Sequence, residues 1–550
     1  MIAHIQIHEK SFGDNTLYSG LDFRINAGEK LGLLGRNGTG KTTLFNMITG
    51  LDDQYDGSIE LKKGLVVVAA RQEHQGFENE SVLDYIVADL PEFSKLKHQI
   101  DSLPARMEGH NHLIQQYSDA LERFGTLGYF EVESDIKQAL ESYQLDESKA
   151  AGKVGELSGG QVRLMELVKV QRARADLALI DEPTNHMDYV AKESFIKWLK
   201  STKEAVVVIS HDRDVLKAVD RIIEIRDGQA DICKGNYDAY LKTNTSRITS
   251  EVNEYSVTQS RITNLQADAI RFQRLKEKAR NPGTIQRFKS QEQKARAELA
   301  KLKAMDKPSF WIDKESAQGL KTKLADAYDE HKTRNIKIRA KTKASNSDRL
   351  LIDIDNLSLG YDEPLFKDLR LQIRESTKLR VHGRNGVGKS TLVQAIIDTN
   401  TDIALKAKVF DGTIEHDSST VIGVYEQELS SEYLPITLSA AIERAYQAKG
   451  LDCSDQLIKS LLSDYLFNPA VDGEKPLKIL SGGQKARFQL ISMLAGNPNV
   501  LILDEPTNHL DLPSIEELDD ALAQYHGAII YISHDSYFTD KMAGQTLKIG

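Results

Sequence analysis

Two stretches of the chain, GRNGTGKT (35–42) and GRNGVGKS (383–390), place glycines, a lysine and a hydroxyl at the spacing of a phosphate-binding loop. Glycines let backbone N–H groups curl around phosphate oxygens, and the N-terminus of a following helix adds a positive dipole. Lys41 and Lys389 are expected to reach the β- and γ-phosphates, and Thr42 and Ser390 to ligate Mg²⁺. The predicted phosphate-binding residues are Gly35, Asn37, Gly38, Gly40, Lys41, Thr42, Thr43, Gly383, Asn385, Gly386, Gly388, Lys389, Ser390 and Thr391.

Each loop has a matching pair of acids at the end of an apolar run, in LALIDE (177–182) and LILDE (501–505). The first acid of each pair, Asp181 or Asp504, can hold the metal. The second, Glu182 or Glu505, can orient and polarise the attacking water, because in-line phosphoryl transfer depends on positioning. The structural alternative is that these acids only cap the ends of strands.

A histidine follows a third apolar run in each half, His211 after AVVVIS and His534 after AIIYIS. These runs predict strands of a parallel sheet, and ligands bind at the carboxyl ends of such strands. A single histidine would more often be structural. Two at matching positions indicate contacts to the γ-phosphate.

The elements that must position these residues occur twice in the chain. LSGGQ is found at 157–161 and 480–484, and it lies equally far before Glu182 and Glu505. The short apolar runs LGLLG (31–35) and KLRVHG (378–383) supply the strand that a phosphate-binding loop requires. The sequence therefore predicts an α/β protein with two tandem phosphate-loop domains that arose by duplication.

LSGGQ beside a phosphate loop and DEPTNH resembles the ATP-binding cassette ATPases. EPTNHMD and EPTNHLD, with SHDR (210–213) and GNYDAYL (235–241), resemble the ABC-F class, which pairs two cassettes in one chain without a membrane domain. The resemblance covers nearly the full length. It implies head-to-tail closure of the two halves over two ATP molecules within a monomer, with no membrane permease as partner. The signature residues facing the opposite phosphate loop would be Ser158, Gly159, Gly160, Gln161, Ser481, Gly482, Gly483 and Gln484.

The resemblance also implies further nucleotide contacts. Phe12 and Tyr361 stand where the family stacks an aromatic ring on adenine, although either residue could be an ordinary core aromatic. Gln72 and Gln427 match the glutamine that senses the metal and the attacking water. The implied Mg²⁺ set is Thr42, Gln72, Asp181, Ser390, Gln427 and Asp504.

Bulk properties fit an ATPase of the cytosol, which is the expected compartment. With 550 residues the chain is too long for one core. No apolar run is long enough to cross a bilayer, and the N-terminus lacks the plan of a signal peptide. Cys233 and Cys453 are not at the spacing of metal ligands.

Three segments are predicted: a first cassette (1–241), a basic linker (242–349) and a second cassette (350–550). The first cassette carries an insertion at about 89–124, in which apolar residues recur at helical spacing on either side of a Pro- and Gly-containing break. It is predicted to form two helices. The resemblance implies an arm that touches the ribosome near its exit site, whereas a helical subdomain without a partner remains the alternative.

The linker carries a charge opposite to that of its surroundings. Residues 242–350 contain 25 basic and 13 acidic residues, whereas the whole chain contains 71 basic and 81 acidic residues. Apolar residues at three-four spacing on both sides of Asn281-Pro282-Gly283 predict two antiparallel helices, with Pro282 and Gly283 supplying the turn. The predicted RNA-binding residues near the tip are Arg274, Lys276, Lys278, Arg280, Arg287 and Lys289.

A projecting cationic hairpin suits the phosphates of folded RNA. In the ABC-F class this linker reaches the P-site tRNA, so the resemblance implies the ribosome, rRNA and P-site tRNA as partners. Two functions fit: regulation of translation, or protection of the ribosome from antibiotics. The short turn between the helices favours regulation.

Two other function classes remain as alternatives. An ATPase subunit of a transporter would have no need of a long basic hairpin. A DNA-maintenance ATPase would carry zinc modules, far longer coiled coils or a C-terminal nucleic-acid-binding extension.

Overall fold

A computed structural model of the chain describes residues 1–12, 15–70, 77–106, 110–185, 187–303, 348–401, 403–426, 429–508 and 510–550. Contacts divide the chain into two compact units. The first is Met1–Tyr237 with Ile336–Gly550, and the second is Asp238–Asn335. After the two helices, the sequence predicts an extended connector at 307–348, where NIKIRAK (335–341) alternates apolar and basic residues as an edge strand would. Nearly all of this segment lies outside the described residues, so the edge strand stays a prediction.

The first repeat alternates strands and helices. Its strands are β1 (Ala3–Phe12), β2 (Asn15–Tyr18), β3 (Leu21–Ile25), β4 (Lys30–Gly35), β5 (Asp56–Leu61), β6 (Val67–Ala69), β7 (Leu177–Asp181), β8 (Ala205–Ile209), β9 (Arg221–Arg226) and β10 (Gln229–Lys234). Its helices are α1 (Lys41–Ile48), α2 (Val82–Ala88), α3 (Phe93–Ser102), α4 (Asn111–Thr126), α5 (Val132–Ser142), α6 (Glu147–Ala151), α7 (Gly159–Arg172), α8 (Tyr189–Ser201) and α9 (Arg213–Leu216).

The second repeat has the same order of central elements. Its strands are β11 (Leu350–Gly360), β12 (Pro364–Arg374), β13 (Lys378–His382), β14 (Lys408–His416), β15 (Ile422–Tyr425), β16 (Val500–Asp504), β17 (Ala528–Ile532) and β18 (Gln545–Lys548). Its helices are α12 (Lys389–Asn400), α13 (Leu438–Gln447), α14 (Asp455–Asp464), α15 (Gly482–Leu494), α16 (Leu512–Ala523) and α17 (Ser536–Met542).

The central sheets of the two repeats share five corresponding parallel strands. In the first, β6, β7, β8, β4 and β9 lie side by side in parallel, and β10 pairs antiparallel with β9. In the second, the parallel order is β15-β16-β17-β13-β18. Strands β7, β8, β16 and β17 are almost wholly buried, as strands covered on both faces must be. The predicted α/β fold with two tandem cassettes is confirmed.

A separate antiparallel sheet accompanies each central sheet. In the first repeat β1 lies between β3 and β5 and also pairs with β2, and in the second β11 lies between β12 and β14. The alternating burial of β3 shows one covered face. That face packs into the core of the first repeat with the phosphate-loop helix α1, so the sheet helps to fix the loop.

The predicted insertion is formed by α3 and α4, joined through a 3₁₀ turn at Pro104–Arg106. Phe93 at the start of α3 contacts Phe124 near the end of α4 and Tyr129 beyond it, with ring centroids 5.7 and 5.3 Å apart. This aromatic cluster holds the start of α3 against the end of α4 at the base of the insertion.

The second unit contains most of α10 (Tyr237–Lys278) and α11 (Pro282–Lys303). Leu265, Ala269 and Ala295 are buried between the helices, and Leu299 and Leu302 pack against them. Arg261 of α10 pairs with Glu298 of α11, and Gln273, further along α10, bonds to Arg296, which comes earlier in α11. The two helices are therefore antiparallel. The side chains of the predicted seam residues Ile248, Val252 and Tyr255 lie outside the described part.

Two details of the hairpin differ from the sequence-based expectation. Pro282 and Gly283 do not form the turn but begin α11, and the Asn281 side chain accepts a hydrogen bond from the Gly283 N–H at 2.9 Å. Proline suits a first helical position because that position needs no N–H donor. Helix α10 begins at Tyr237, a few residues before the predicted linker boundary at 242.

Candidate nucleotide sites and basic hairpin

Each phosphate loop connects a buried strand to a helix, β4 to α1 and β13 to α12. The glycines before the helices, Gly40 and Gly388, have φ of 93° and 99°. Most other residues avoid this left-handed conformation, so glycine is needed where the chain turns into the helix. The loops are therefore built as the sequence predicts, with helix N-terminal N–H groups directed at the predicted phosphate position.

The loop lysines lie folded against the backbone of their own loops. Lys41 Nζ donates to the carbonyl oxygens of Gly35 and Arg36, at 2.7 and 3.1 Å. Lys389 Nζ donates to the equivalent carbonyls of Gly383 and Arg384, at 2.8 and 3.0 Å. Burial lowers the pKa of both amines, and the acids at the ends of β7 and β16 act in the opposite direction. Both amines thus lie inside the loops that the sequence predicts to bind phosphates.

The predicted metal-binding pairs are brought together. The Thr42 hydroxyl donates to Asp181 Oδ2 at 2.7 Å. Burial raises the pKa of Asp504, and a hydrogen bond from Ser390 opposes this. A hydroxyl and a carboxylate fit Mg²⁺, which prefers oxygen ligands and takes most of the others from phosphates and water. No group of three or more His, Cys, Asp or Glu side chains in the described ranges could hold a metal by itself.

The glutamates that follow these aspartates have a strained backbone. Glu182 and Glu505 both have a φ of 46°, which side chains other than glycine rarely adopt. The Glu182 N–H donates to Ile209 O at 2.9 Å, and the Glu505 N–H donates to Ile532 O at 3.0 Å. Each glutamate is thereby fixed to the neighbouring strand that leads to the histidine. The two repeats therefore share this uncommon backbone conformation at the position where the sequence predicts the catalytic glutamate.

The predicted histidines lie beside these glutamates. His211 Nε2 is 3.5 Å from Glu182 Oε1, and His534 Nε2 is 3.4 Å from Glu505 Oε1. Burial lowers the pKa of both histidines to about 3, and the loop lysines add to the effect. Burial also raises the pKa of Glu505 to about 7, and it raises the pKa of Glu182 well above its ordinary value. Both imidazoles are therefore neutral at physiological pH.

Two residues that the sequence reasoning gave no role connect the repeats. The Asn37 N–H donates to Asp511 Oδ2 at 3.1 Å, and the Asn385 N–H donates to Asp188 Oδ2 at 3.2 Å. Each aspartate also caps the helix that follows it, α16 or α8. Each phosphate loop therefore touches the opposite repeat, which is a head-to-tail pairing. The signal available in the sequence was that both aspartates close a repeated motif, EPTNHMD and EPTNHLD.

The signature segments begin α7 and α15, where Ser158 and Ser481 form capping boxes with Gln161 and Gln484. A cavity of about 1530 Å³ is lined by both phosphate loops, both glutamates and histidines, Tyr361 and Ser158–Gln161. Tyr361 is exposed there, so its ring is free to stack on a base. Ser481–Gln484 do not line this cavity, so the predicted contact of the second signature segment with a phosphate loop stays a prediction.

Three predicted nucleotide contacts are left as predictions. Gln72 and Gln427 lie outside the described residues. Phe12 ends β1, but its side chain is outside the described part as well.

The basic hairpin presents most of its predicted cations to solvent: Arg274, Lys278, Arg280, Arg287 and Lys289. Lys276 is half-buried instead, with its amine 2.6 Å from Glu292. Glu292 is buried in the seam and also pairs with Arg296 at 2.9 Å. Lys276 therefore holds the hairpin together, while the other five residues are free to meet a polyanion.

A family profile described as "ABC transporter" matches residues 18–185 and 366–508, which together make up more than half of the chain. The chain belongs to this family of ATP-binding cassette proteins. One matched range falls within each repeat, so the predicted resemblance is confirmed for both cassettes. None of the helices in the described ranges is long and apolar enough to cross a membrane.

Several curated relatives match over nearly the whole chain. ATP-binding protein YdiF of Bacillus subtilis is 28% identical over 100% of this chain and 80% of its own length. ATP-binding protein YbiT of Escherichia coli O157:H7 is 28% identical over 98% of this chain and 94% of its own. ABC transporter F family member 5 of Arabidopsis thaliana is also 28% identical, over 98% of this chain and 74% of its own. The last of these names agrees with the ABC-F resemblance.

Solved structures agree on the fold. The RNase-L inhibitor aligns with a TM-score of 0.55 at 14% identity, covering 99% of this chain and 87% of that one. An archaeal ribosome recycling factor, aABCE1, in complex with a ribosomal stalk protein, aligns with a TM-score of 0.54 at 15% identity, covering 100% and 87%. At these identities the likeness supports the tandem-cassette architecture alone.

Proposed function

We propose that this protein hydrolyses ATP to ADP and phosphate at two sites, each completed by the opposite cassette. The observation that carries this proposal is the pair of reciprocal contacts, Asn37–Asp511 and Asn385–Asp188. Because each phosphate loop touches the other cassette, nucleotide bound at either loop would be held between the two halves. ATP binding therefore stabilises the closed pair, and hydrolysis weakens it.

The residues of each site divide the chemistry among them. The loop N–H groups and Lys41 or Lys389 bind the β- and γ-phosphates, while Thr42 with Asp181, or Ser390 with Asp504, would hold Mg²⁺. When bound, Mg²⁺ neutralises the charge that develops on the phosphate oxygens. In its ionised form, Glu182 or Glu505 accepts a hydrogen bond from the attacking water and aligns it. The neutral imidazole of His211 or His534 can donate one N–H to a γ-phosphate oxygen.

The experiment that tests this activity is phosphate release from ATP by the purified full chain in Mg²⁺. Substitution of both loop lysines, Lys41→Ala with Lys389→Ala, should abolish it. Turnover that survives in the double variant would contradict the assignment of the sites.

We further propose that the polyanionic partner is the ribosome, with the hairpin directed at rRNA and P-site tRNA. The observation that carries this proposal is the concentration of five exposed cations within residues 274–289, at and beside the α10–α11 turn. Cations at such a tip can contact phosphates of folded RNA without reading bases. A structural neighbour with the same tandem-cassette architecture is titled as a ribosome recycling factor, and this choice among polyanions agrees with that title.

Within this proposal, the protein acts as an ATP-dependent regulator of translation. The connection between α10 and α11 spans only residues 279–281, so the tip carries no long extension towards a drug site. Arm helices α3 and α4 would form a second contact near the exit site.

A further inference from the structure

Arg213 begins α9 directly after residues 210–212, the loop that carries His211 and that we name the switch loop. The Arg213 side chain is almost wholly buried. Its Nη2 lies 3.3 Å from Glu516 Oε1, and the side chains of both residues are less than one-tenth exposed. Glu516 belongs to α16 of the second cassette. A buried ion pair therefore joins the switch loop of the first cassette to the helix that Asp511 caps in the second.

Two aromatic residues complete the surroundings of this guanidinium. Its central carbon lies 3.2 Å from the ring centroid of Tyr537 in the second cassette, a cation–π contact. Its Nε donates to the Tyr237 hydroxyl at 3.4 Å. Tyr237 is buried and is the first residue of α10. The planar, permanently charged guanidinium is thus held at its face and along its edge, and lysine could not reproduce these contacts.

The residues on either side of Arg213 are also fixed. Lys192 Nζ lies 2.8 Å from Asp212 Oδ2 and 2.6 Å from Asp214 Oδ2. Asp214 also accepts a hydrogen bond from Ser536 of the second cassette, at 2.8 Å. Because His211 is two residues before Arg213 and 3.5 Å from Glu182, these contacts fix the position of the histidine in the first site.

The second cassette cannot form the corresponding set. The spacing that relates Glu182 to Glu505 also relates Arg213 to Ser536 and Lys192 to Ile515. Serine and isoleucine carry no charge, so no ion pair can form from Ser536 to Glu193, the residue that corresponds to Glu516. The two ATP sites share their loops, acids and histidines, yet among the described residues only the first has a switch loop that an ion pair attaches to the opposite cassette.

We infer that Arg213 is a positioning residue through which the second cassette, by Glu516 and Tyr537, holds His211 of the first ATP site in its working position. Turnover at the first site therefore depends on the charge of Glu516 in the opposite cassette. At the second site Ser536 stands in place of Arg213 and bonds to the opposite cassette only through a neutral hydroxyl, so we expect a much smaller dependence there. This inference rests on the proposed hydrolysis at both sites.

The test uses full-length proteins in which one site turns over. Glu505→Gln leaves the first site active, and Glu182→Gln leaves the second. In each background Glu516→Gln removes the charge from the partner of Arg213 while keeping its shape. The matched control is Glu193→Gln, at the corresponding exposed position of the first cassette.

We expect Glu516→Gln to lower kcat of the first site about tenfold and kcat of the second less than twofold. KM for ATP should stay unchanged, because neither Arg213 nor Glu516 lines the nucleotide cavity. Arg213→Met should have the same selective effect, and Arg213→Lys should restore part of the loss. Glu193→Gln should leave both sites as they are.

Equal losses at both sites would show that the pair only supports the fold, and would overturn the inference. So would unchanged turnover at the first site. If Glu505→Gln and Glu182→Gln, without a further substitution, release no phosphate, the proposed hydrolysis is wrong and the inference is overturned with it. This outcome differs from the two above, in which both of these proteins are active. Thermal melting of every variant separates a selective kinetic effect from loss of folded protein.

Discussion

Glu182 and His211 lie side by side at the ends of adjacent strands, with 3.5 Å between Oε1 and Nε2. Glu505 and His534 repeat the arrangement at 3.4 Å. Burial holds the pKa of each histidine near 3, so neither pair is an ion pair at neutral pH. A neutral ring can donate to a phosphate oxygen with one nitrogen, while the glutamate orients water. Both glutamates have the same positive φ, so the two sites orient the glutamate in the same way relative to the histidine.

Both sites have the phosphate loop with its lysine, the strand-end acids and the histidine, so both should turn over. Lys41→Ala and Lys389→Ala, made separately, should each lower steady-state phosphate release, because each removes the cation that reaches the β- and γ-phosphates of one site. The measurement is phosphate release at saturating ATP. Loss of activity in Lys41→Ala with none in Lys389→Ala would contradict equal competence.

In the absence of nucleotide and Mg²⁺, the buried glutamates Glu182 and Glu505 should lower the folding stability of the protein at neutral and higher pH. Burial raises the pKa of Glu505 to about 7, whereas an unfolded glutamate titrates at about 4.3. Between these values the unfolded chain gives up its proton first, so this group's contribution to folding stability falls as the pH rises. Glu182 acts in the same direction.

Glu182→Gln with Glu505→Gln removes both titrations while keeping the side-chain shape. The nucleotide-free double variant should therefore melt at a higher temperature than the wild type at pH 8. The difference should shrink as the pH is lowered towards about 5, where the folded wild type carries protonated glutamates. A wild type that melts at a higher temperature than the double variant at pH 8 would contradict the raised pKa of these glutamates.

A buried charge cluster stabilises the first cassette beneath its signature helix α7. Lys169 is fully buried, and its amine lies 2.8 Å from Glu166 and 3.1 Å from Asp89 at the base of the arm. Lys169→Met would leave Glu166 buried without its cation and should cost about 3–5 kcal/mol of unfolding free energy. Urea titration measures this.

An exposed ion pair provides the comparison for that cluster. Lys137 lies 3.3 Å from Glu147, but both side chains are largely in solvent. Lys137→Met should therefore change stability by about 0–1 kcal/mol. Similar costs for the two methionine variants would mean that the Lys169 cluster contributes no more than a surface pair.

The exposed cations of the hairpin should carry much of the salt dependence of ribosome binding. Glutamine at Arg274, Lys278, Arg280, Arg287 and Lys289 should weaken binding and reduce the slope of log affinity against log salt by about 4. Filter binding or sedimentation over a range of salt concentrations measures the slope.

A matched protein with glutamine at five exposed lysines of the first cassette controls for the loss of net charge. These lysines are Lys62, Lys63, Lys197, Lys200 and Lys203. The proposal requires the hairpin variant to lose far more of the slope than this control. Equal losses would mean that charge anywhere on the chain supports binding.

The sequence was most informative where a function depends on a local motif. The phosphate loops, the strand-end acids and the histidines could be predicted because each needs particular residue types at fixed spacing, and duplication repeated every spacing. The hairpin followed from helical periodicity and charge. Even there, Glu292 falls at an apolar position of that periodicity and interrupts it in the sequence, whereas in the structure Lys276 and Arg296 pair with it inside the seam.

Long-range pairing could not be predicted in the same way. Asp511 with Asn37, and Glu516 with Arg213, join residues hundreds of positions apart whose types alone do not specify a partner. The positive φ of Glu182 likewise comes from the strand connection and not from the residue type. These features depend on how distant parts of the chain pack together, and a local sequence pattern does not predict that packing.

ATP-dependent attachment to the ribosome is the central claim, and one sedimentation experiment tests it most directly. The Glu182→Gln/Glu505→Gln protein should bind ATP without cleaving it, so its cassettes should stay closed. It is centrifuged with ribosomes through a sucrose cushion, with ATP or ADP, at two salt concentrations. We predict that it pellets with ribosomes in ATP but not in ADP, and less at the higher salt. A protein that stays in the supernatant with both nucleotides would contradict the claim.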